Sequence, residues 1–157
     1  FRILTDSVNA FSKNKKLKLR NPSYKRPWQH VLEPLAGYLL LAKKLYSKNG
    51  SKYNGSWNFG PTTKKHLSVF EFAKLLKKKM NSVSKIILLK LEDNKEKYTL
   101  DLNSAKAKNF LNWKPLLNIE KTLSLTADWY VASKSKKNMY KFSLEQIKIY
   151  SNLINKK

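Results

Sequence analysis

One stretch constrains the fold more than any other, because it joins an extended segment directly to the longest apolar helix pattern in the chain. The segment Arg26 to His30 reads Arg-Pro-Trp-Gln-His. Glu33 and Pro34 then favour the start of a helix, since an acid is stabilising and proline is tolerated in a first turn. Apolar residues follow at helical spacing, which predicts a helix buried along one side: Leu35, Tyr38, Leu39, Ala42, Leu45 and Tyr46.

The rest of the chain alternates between helix and strand patterns. Apolar residues predict a first helix ending near Ser12, and the alternation from Lys16 to Arg20 predicts a short strand. Ile86 to Leu91 suits a buried strand, and shorter extended segments are predicted at 28–32, 56–59 and 98–102. We therefore expect a mixed α/β fold in which residues 1–157 form one domain.

Helix boundaries follow from capping residues. Ser68 with Glu71 predicts a capping box, and Ser143 with Gln146 predicts a second one. Ser104 and Asn118 are candidate N-caps. Asn112 suits the left-handed position at a helix end, because asparagine tolerates that conformation better than most residues.

The charge balance allows two interpretations. There are 33 Lys+Arg and 10 Asp+Glu, a net charge of +23, which would suit a polyanion such as nucleic acid. The positive residues are nearly all lysine and are spread over every segment, which favours a solvated surface instead. This spread of lysine leads us to expect no nucleic-acid partner. No apolar run approaches the roughly 20 residues of a spanning helix, so we expect a cytoplasmic protein without a membrane partner.

Complete catalytic or metal motifs are absent from the sequence. There is no cysteine, and the two histidines have no nucleophile or acid at a recognisable spacing. His30, before the apolar Val31, is more typical of a structural histidine. With only four glycines and no glycine-rich strand-to-helix turn, the chain lacks a dinucleotide or P-loop fingerprint.

Arg26 is the best candidate for binding an anion, because a guanidinium can hold phosphate oxygens in a bidentate fork. Trp28 lies two residues on and so on the same face of an extended segment, where its indole could stack on a base. The same spacing equally suits a cation–π pair of Arg26 and Trp28. Both interpretations stay open at the level of the sequence.

Several stretches closely resemble the C-terminal half of the CDP-glucose 4,6-dehydratases, nucleotide-sugar enzymes of the extended short-chain dehydrogenase/reductase family. The resemblance is nearly end to end and is carried by Arg20-Asn21-Pro22, Arg26 to Leu35, Gly37 to Ala42, Trp57 to Pro61, Leu102 to Leu111 with Trp113 and Pro115, and Trp129-Tyr130.

The resemblance implies a two-part enzyme. In the family, a Rossmann half binds NAD and carries a catalytic Tyr-x-x-x-Lys pair, and that half has no counterpart in this sequence. The chain begins at Phe1, within a helix pattern, and we expect it to be the substrate-binding part of a longer enzyme. Such an enzyme would bind CDP-glucose, use NAD held by the other half, and form a homo-oligomer.

The resemblance also implies site residues. Arg26 matches an arginine that contacts the nucleotide diphosphate, while Leu17 and Leu19 match a strand that lines the base. The family's His-Pro-His-Glu-Ala segment is Asp93 to Lys97 here, so only Glu96 is kept and Lys95 could supply a replacement charge. Asn112 replaces the family's glycine, and Asn103 replaces an aspartate.

The sequence thus predicts the nucleotide-sugar-binding part of a CDP-glucose 4,6-dehydratase, with Arg26, Leu17, Leu19, Trp28, Lys95 and Glu96 as substrate-binding residues and no catalytic or metal residues in this chain. One alternative is another nucleotide-sugar epimerase or dehydratase of the extended family. The alternative from a different class is a basic nucleic-acid-binding module.

Overall fold

The computed structural model describes residues 2–61, 66–89, 97–135 and 137–156. Within them the fold is mixed α/β, as the sequence predicts. The elements in chain order are α1 (Ile3–Ser12), β1 (Leu17–Leu19), α2 (Leu32–Leu45), a 3₁₀ turn (Gly50–Tyr53), α3 (Val69–Lys79), β2 (Ile86–Leu88), α4 (Ala105–Leu111), α5 (Ile119–Lys134) and α6 (Met139–Asn155).

The two strands pair in parallel, with Leu17 opposite Ile86 and Leu19 opposite Leu88. The other predicted extended segments do not form strands within the described residues. Segment 98–102 makes one isolated bridge, in which Thr99 pairs with Lys25, and Lys25 also pairs with Ser68 on its other side. Lys25 therefore ties together two segments that are more than 30 residues apart in sequence.

The main core lies between α1, α3, α5 and the strands. Its buried side chains come from the apolar faces of these elements: Val8, Ala10, Phe11, Leu17, Leu19, Val69, Phe72, Ala73, Leu76, Leu123 and Ala127. The predicted capping box at α3 is confirmed, because the Ser68 hydroxyl accepts the Glu71 amide while the Glu71 carboxylate accepts the Ser68 amide. Burial of the apolar face of α3, formed by Val69, Phe72, Ala73 and Leu76, fixes this helix against α1 and α5.

A second cluster of buried residues consists of Phe59, Ala107, Leu111 and Trp113. The inner side of α2 packs on it through Leu40 and Leu41. Gly37 permits the close approach, since a Cβ atom there would collide with the ring of Phe59. The side of α2 that faces the protein is therefore set by the absence of a side chain at Gly37.

The prediction that α2 is buried along its Leu35–Leu39 side is wrong. Large apolar side chains on that side are exposed: Val31, Leu35, Tyr38, Leu39, Leu45 and Tyr46. Glu33 and Gly37 are buried in their place. The sequence pattern is misleading here because α2 is apolar on two sides, and only one side is covered within the described residues.

The predicted caps are partly confirmed. Asn112 has a φ of 52°, the left-handed conformation expected at the end of α4, and the Asn118 side chain accepts the Lys121 amide at the start of α5. The second capping box is wrong, because the N-cap of α6 lies five residues earlier, at Asn138. Ser104 occupies the N-cap position of α4, but its hydroxyl bonds the main chain of Gly60.

A buried carboxylate holds three segments together. Glu33, 1% exposed, lies in the first turn of α2. Its Oε1 accepts the amides of Leu116 and Leu117, at 2.8 and 2.6 Å, and its Oε2 accepts the hydroxyl of Tyr150, at 2.7 Å. Burial, together with this carboxylate, raises the pKa of Tyr150 far above its usual range. The negative charge is satisfied by three donors, which offsets the cost of burying it.

Among the described residues, no helix combines the length and apolar character required to cross a membrane.

We expect Glu33→Ala to lower the free energy of unfolding by about 3 kcal/mol, because it leaves two partly buried amides and the buried Tyr150 hydroxyl without their acceptor. Tyr150→Phe removes one donor and should cost about 1–2 kcal/mol. Urea denaturation of both variants measures these values. Tyr140→Phe, at an exposed position of α6, is the matched control. Equal stability of Glu33→Ala and the wild type would contradict the anchoring role.

Candidate functional site

The candidate site is the main-chain junction at Lys25, between β1 and α2. The Lys25 amide donates to the carbonyl of Tyr98 at 2.8 Å, and the amide of Leu100 donates to the Lys25 carbonyl at 3.2 Å. On the other side, the amide of Val69 donates to the carbonyl of Tyr24 at 2.8 Å. Segments 66–69 and 97–100 are therefore held on either side of residues 24–26, which places side chains from three parts of the chain together.

Arg26 lies within this junction and is partly buried. Its Nη1 donates to the carbonyl oxygens of Lys25, Lys97 and Tyr98, at 2.8, 3.2 and 3.4 Å. Its guanidinium carbon lies 5.4 Å from the ring centroid of Tyr24. The carbonyls of Lys97 and Tyr98 thus fix the position of the Arg26 guanidinium at the edge of the junction.

Aromatic side chains surround Arg26, but Trp28 is not its ring partner. Tyr24 and Tyr98 make an edge-to-face pair with centroids 5.5 Å apart. Trp28 stacks on Phe72 at 4.0 Å, and its Nε1 donates to the carbonyl of Leu67 at 2.8 Å. The predicted cation–π pair of Arg26 and Trp28 is wrong, because Arg26 lies over the ring of Tyr24 while Trp28 packs on the main core.

His66 and Asp101 form a polar pair in the two segments that flank Lys25. Nε2 of His66 lies 2.9 Å from Oδ1 of Asp101; the histidine is buried and the carboxylate is exposed. The hydrogen bond with His66, and then that with the Leu102 amide, lower the pKa of Asp101. Sequence reasoning missed this pair, because the residues are 35 positions apart and each lacks a local motif.

Gln29 and His30 continue the segment toward α2. Nε2 of Gln29 donates to the carbonyl of Phe59 at 2.7 Å, and Nδ1 of His30 accepts the amide of Leu32 at 3.3 Å. Burial lowers the pKa of His30, which favours the neutral imidazole. These contacts agree with the structural role that the sequence indicates for His30.

The other predicted site residues lie at different places. Leu17 and Leu19 are in β1 with their side chains in the main core, while Lys18 between them is exposed. Lys95 and Glu96 lie outside the described residues. No observation tests these four residues, Trp28 or Arg26 as substrate contacts, and all six remain predictions. In the described part of the chain, no group of three or more His, Cys, Asp or Glu side chains could hold a metal ion.

Two hollows flank α2. An apolar one of about 330 Å³ lies at its N-terminal end, where Val31 and Leu32 face Trp129, Tyr130 and Ile147. A basic one of about 470 Å³ lies at its C-terminal end and is lined by Lys43, Lys44, Lys48 and Lys52, among others. The apolar hollow is formed by elements distant along the chain, so sequence periodicity gives no sign of it, whereas the basic hollow is lined by residues 40–53 alone.

Comparison with known proteins agrees with the resemblance seen in the sequence. No protein-family model matches the chain. It is 34% identical over 141 residues to CDP-glucose 4,6-dehydratase of Salmonella typhimurium, a match that covers 83% of this chain and 36% of that protein. The chain thus spans just over a third of the length of this relative.

Solved structures share the fold. The UDP-glucose 4-epimerase of Thermotoga maritima, solved with UDP-glucose, has a TM-score of 0.68 and 18% identity, covering 86% of this chain and 40% of that one. The dTDP-glucose 4,6-dehydratase of Bacillus anthracis, in complex with NAD, has the same TM-score and identity, covering 87% of this chain and 41% of that one. These matches confirm the resemblance to the extended short-chain dehydrogenase/reductases. A CDP-glucose 4,6-dehydratase is a relative in sequence.

Asp101→Asn should lower the free energy of unfolding at pH 7 and lose this effect in acid. A depressed carboxyl pKa adds stability above the unfolded-state value of about 4, and the contribution is lost as the pH falls through the folded-state pKa. Urea denaturation across this range measures the difference from the wild type. Asp128→Asn, at an exposed position of α5, is the control. A difference that is constant with pH would rule out the His66–Asp101 bond as its source.

Proposed function

We propose that this chain is the nucleotide-sugar-binding portion of an NAD-dependent CDP-glucose 4,6-dehydratase. The observation that supports this most is the 34% identity to such an enzyme over 141 residues. The whole enzyme would oxidise the sugar at C4, eliminate water across C5 and C6, and return the hydride to C6. This chain would supply binding energy and orientation.

In this proposal Arg26 contacts the diphosphate. The guanidinium lies at the edge of the Lys25 junction, where carbonyls of Lys97 and Tyr98 fix its position. An arginine held in this way loses little side-chain freedom when an anion binds, which favours affinity. Lys95 and Glu96 belong to the sequence immediately before this contact, and we propose that they approach the same ligand.

Nucleobase recognition is proposed for the β1 side of the site. Leu17 and Leu19 would act from the core by fixing the position of the strand, because their side chains are buried. Trp28 would act in a similar way, since its stacking on Phe72 sets the direction of the segment that carries Arg26. These residues position the site, and only the outward side of the strand is available to touch a base.

NAD does not fit the residues of this chain. The family's cofactor needs a glycine-rich turn from a strand into a helix, and none of the four glycines occupies such a turn. NAD, where bound, supplies the hydride acceptor of the reaction. We propose that the nucleotide-binding part of the enzyme holds it, and that this chain holds the substrate.

Arg26→Lys should weaken CDP binding about tenfold or more, because a lysine keeps the charge but loses the bidentate fork. Calorimetric titration with CDP and with cytidine measures the effect, and cytidine affinity should stay unchanged. Arg2→Lys, at an exposed position before α1, is the control. Equal weakening of CDP and cytidine would show instead that Arg26 acts by holding segment 97–98.

A competition assay on the whole enzyme with CDP-, UDP-, dTDP- and GDP-glucose distinguishes this proposal from the alternative of another nucleotide-sugar epimerase or dehydratase.

The chain by itself is expected to show no heat of NAD binding and no turnover of CDP-glucose, while still binding CDP-glucose. Isothermal calorimetry with each ligand and an absorbance assay for the 4-keto product measure this. Micromolar NAD binding would contradict the proposed division of roles. Binding of duplex DNA in preference to CDP-glucose, with a steep dependence on salt, would favour the nucleic-acid alternative.

A further inference from the structure

His66 and Asp101 join the two segments that lie on either side of the Lys25 junction. Nε2 of His66 lies 2.9 Å from Oδ1 of Asp101, and the histidine is only 6% exposed. A buried hydrogen bond whose partners are satisfied makes the segments that carry it more rigid. The pair therefore ties segment 66–69 directly to segment 97–102, in addition to the bonds that each segment makes with residues of the junction.

The direction of this hydrogen bond follows from the charge of Asp101. Its bond with His66, and then its bond with the Leu102 amide, lower the pKa of Asp101, so the carboxyl group is ionised at neutral pH. An ionised carboxylate only accepts hydrogen bonds, so Nε2 of His66 carries the proton and donates it. The side chain of Asp101 is 64% exposed. The enclosed histidine is therefore the fixed end of the pair.

Segment 97–102 also determines where the charge of Arg26 lies. The guanidinium donates to the carbonyls of Lys97 and Tyr98, at 3.2 and 3.4 Å. Asp101 follows Tyr98 by three residues, and three residues of chain span at most about 10 Å. A displacement at Asp101 is thus close enough to reach both carbonyls. The position of the guanidinium depends on where the bond at Asp101 holds this segment.

The His66–Asp101 bond completes a closed set of three contacts. Residues 24–26 are bonded to segment 97–100 on one side and to Val69 on the other. With these two contacts alone, the two outer segments could still move relative to one another. A direct bond between the outer segments removes this freedom. His66 also lies just before α3, whose apolar face is part of the close-packed main core, so the contacts are anchored to a rigid element.

We propose that His66 and Asp101 are positioning residues for the diphosphate of the nucleotide sugar and that they act through Arg26. This inference rests on the proposed function, in which Arg26 contacts that diphosphate. The pair holds the segment whose carbonyls hold the guanidinium. A guanidinium that is oriented before the ligand arrives loses less side-chain freedom on binding. Loss of the pair therefore weakens binding of the diphosphate and leaves binding of the nucleoside unchanged.

The experiment is a double-mutant cycle on the full chain, with calorimetric titration of CDP-glucose and of cytidine. Asp101→Ala removes the acceptor and should weaken CDP-glucose binding about fivefold. In the Arg26→Lys background the same change should have an effect of less than about twofold, because the fork that it positions is already absent. Cytidine affinity should be the same in all four chains. The Asp101 side chain is mostly exposed, so its truncation leaves no cavity.

Asp101→Asn separates positioning from stability. The amide oxygen of asparagine still accepts the proton of His66, although the negative charge is lost. This variant should keep CDP-glucose affinity within about twofold of the wild type, even though its free energy of unfolding is lower. Asp128→Ala, which removes an exposed carboxylate of α5, is the matched control and should bind like the wild type. Circular dichroism and thermal unfolding check that each variant is folded.

Three results would overturn the positioning role. Equal losses from Asp101→Ala in the wild-type and Arg26→Lys backgrounds would show that the pair does not act through the arginine. Equal weakening of CDP-glucose and cytidine would assign it a purely structural role. Affinity of Asp101→Asn as low as that of Asp101→Ala would show that the charge matters and the bond to His66 does not. A wild-type chain that binds no CDP-glucose would instead overturn the proposed function and this inference with it, so the two failures are distinguishable.

Discussion

The buried carboxylate of Glu33 is the interaction on which the arrangement of the helices depends. A single side chain accepts amides from the segment before α5 and a hydroxyl from α6, while its own main chain begins α2. Three segments that are distant in sequence therefore meet at one negative charge. A charge so deeply buried is tolerable only with all its donors in place, so its position specifies how α2, α5 and α6 are oriented relative to one another.

That orientation determines what the rest of the molecule can do. Because α2 is fixed at its first turn, the segment that precedes it must run from the Lys25 junction to His30 along a defined path. Contacts of Trp28 with Leu67 and of Gln29 with Phe59 hold this path in place. Arg26 is consequently displayed by a rigid segment in a chain whose other cations are mostly exposed lysines. A rigid guanidinium gives directional recognition of an anion, which a diffuse positive surface does not.

Much of the fold could be predicted from local sequence. The end of α1 at Ser12, the strand at Leu17–Leu19 and the cap at Ser68 all depend on neighbouring residues, and periodicity or side-chain hydrogen bonding reports them directly. The resemblance to nucleotide-sugar enzymes was also visible, because it lies in contiguous motifs such as Arg26 to Leu35.

The parts that sequence reasoning missed depend on contacts between distant residues. Ser143 and Gln146 have the spacing of a capping box, yet both lie inside α6: Gln146 is buried and donates to the carbonyl of Leu125, while Ser143 accepts the indole of Trp129. Likewise, the apolar pattern of α2 cannot reveal which side faces the protein. Gly37 and Glu33 decide it, through their contacts with Phe59 and Tyr150.

Phe59 connects two surfaces that are otherwise separate. Its carbonyl accepts the side chain of Gln29, three residues after Arg26, and its ring lies against the main chain of α2 at Gly37. The segment that carries Arg26 and the helix with the exposed apolar side thus share one neighbour, with no side chain at Gly37 to separate the ring from the helix main chain. A displacement of Phe59 would therefore disturb both the hydrogen bond from Gln29 and the packing of α2 at Gly37.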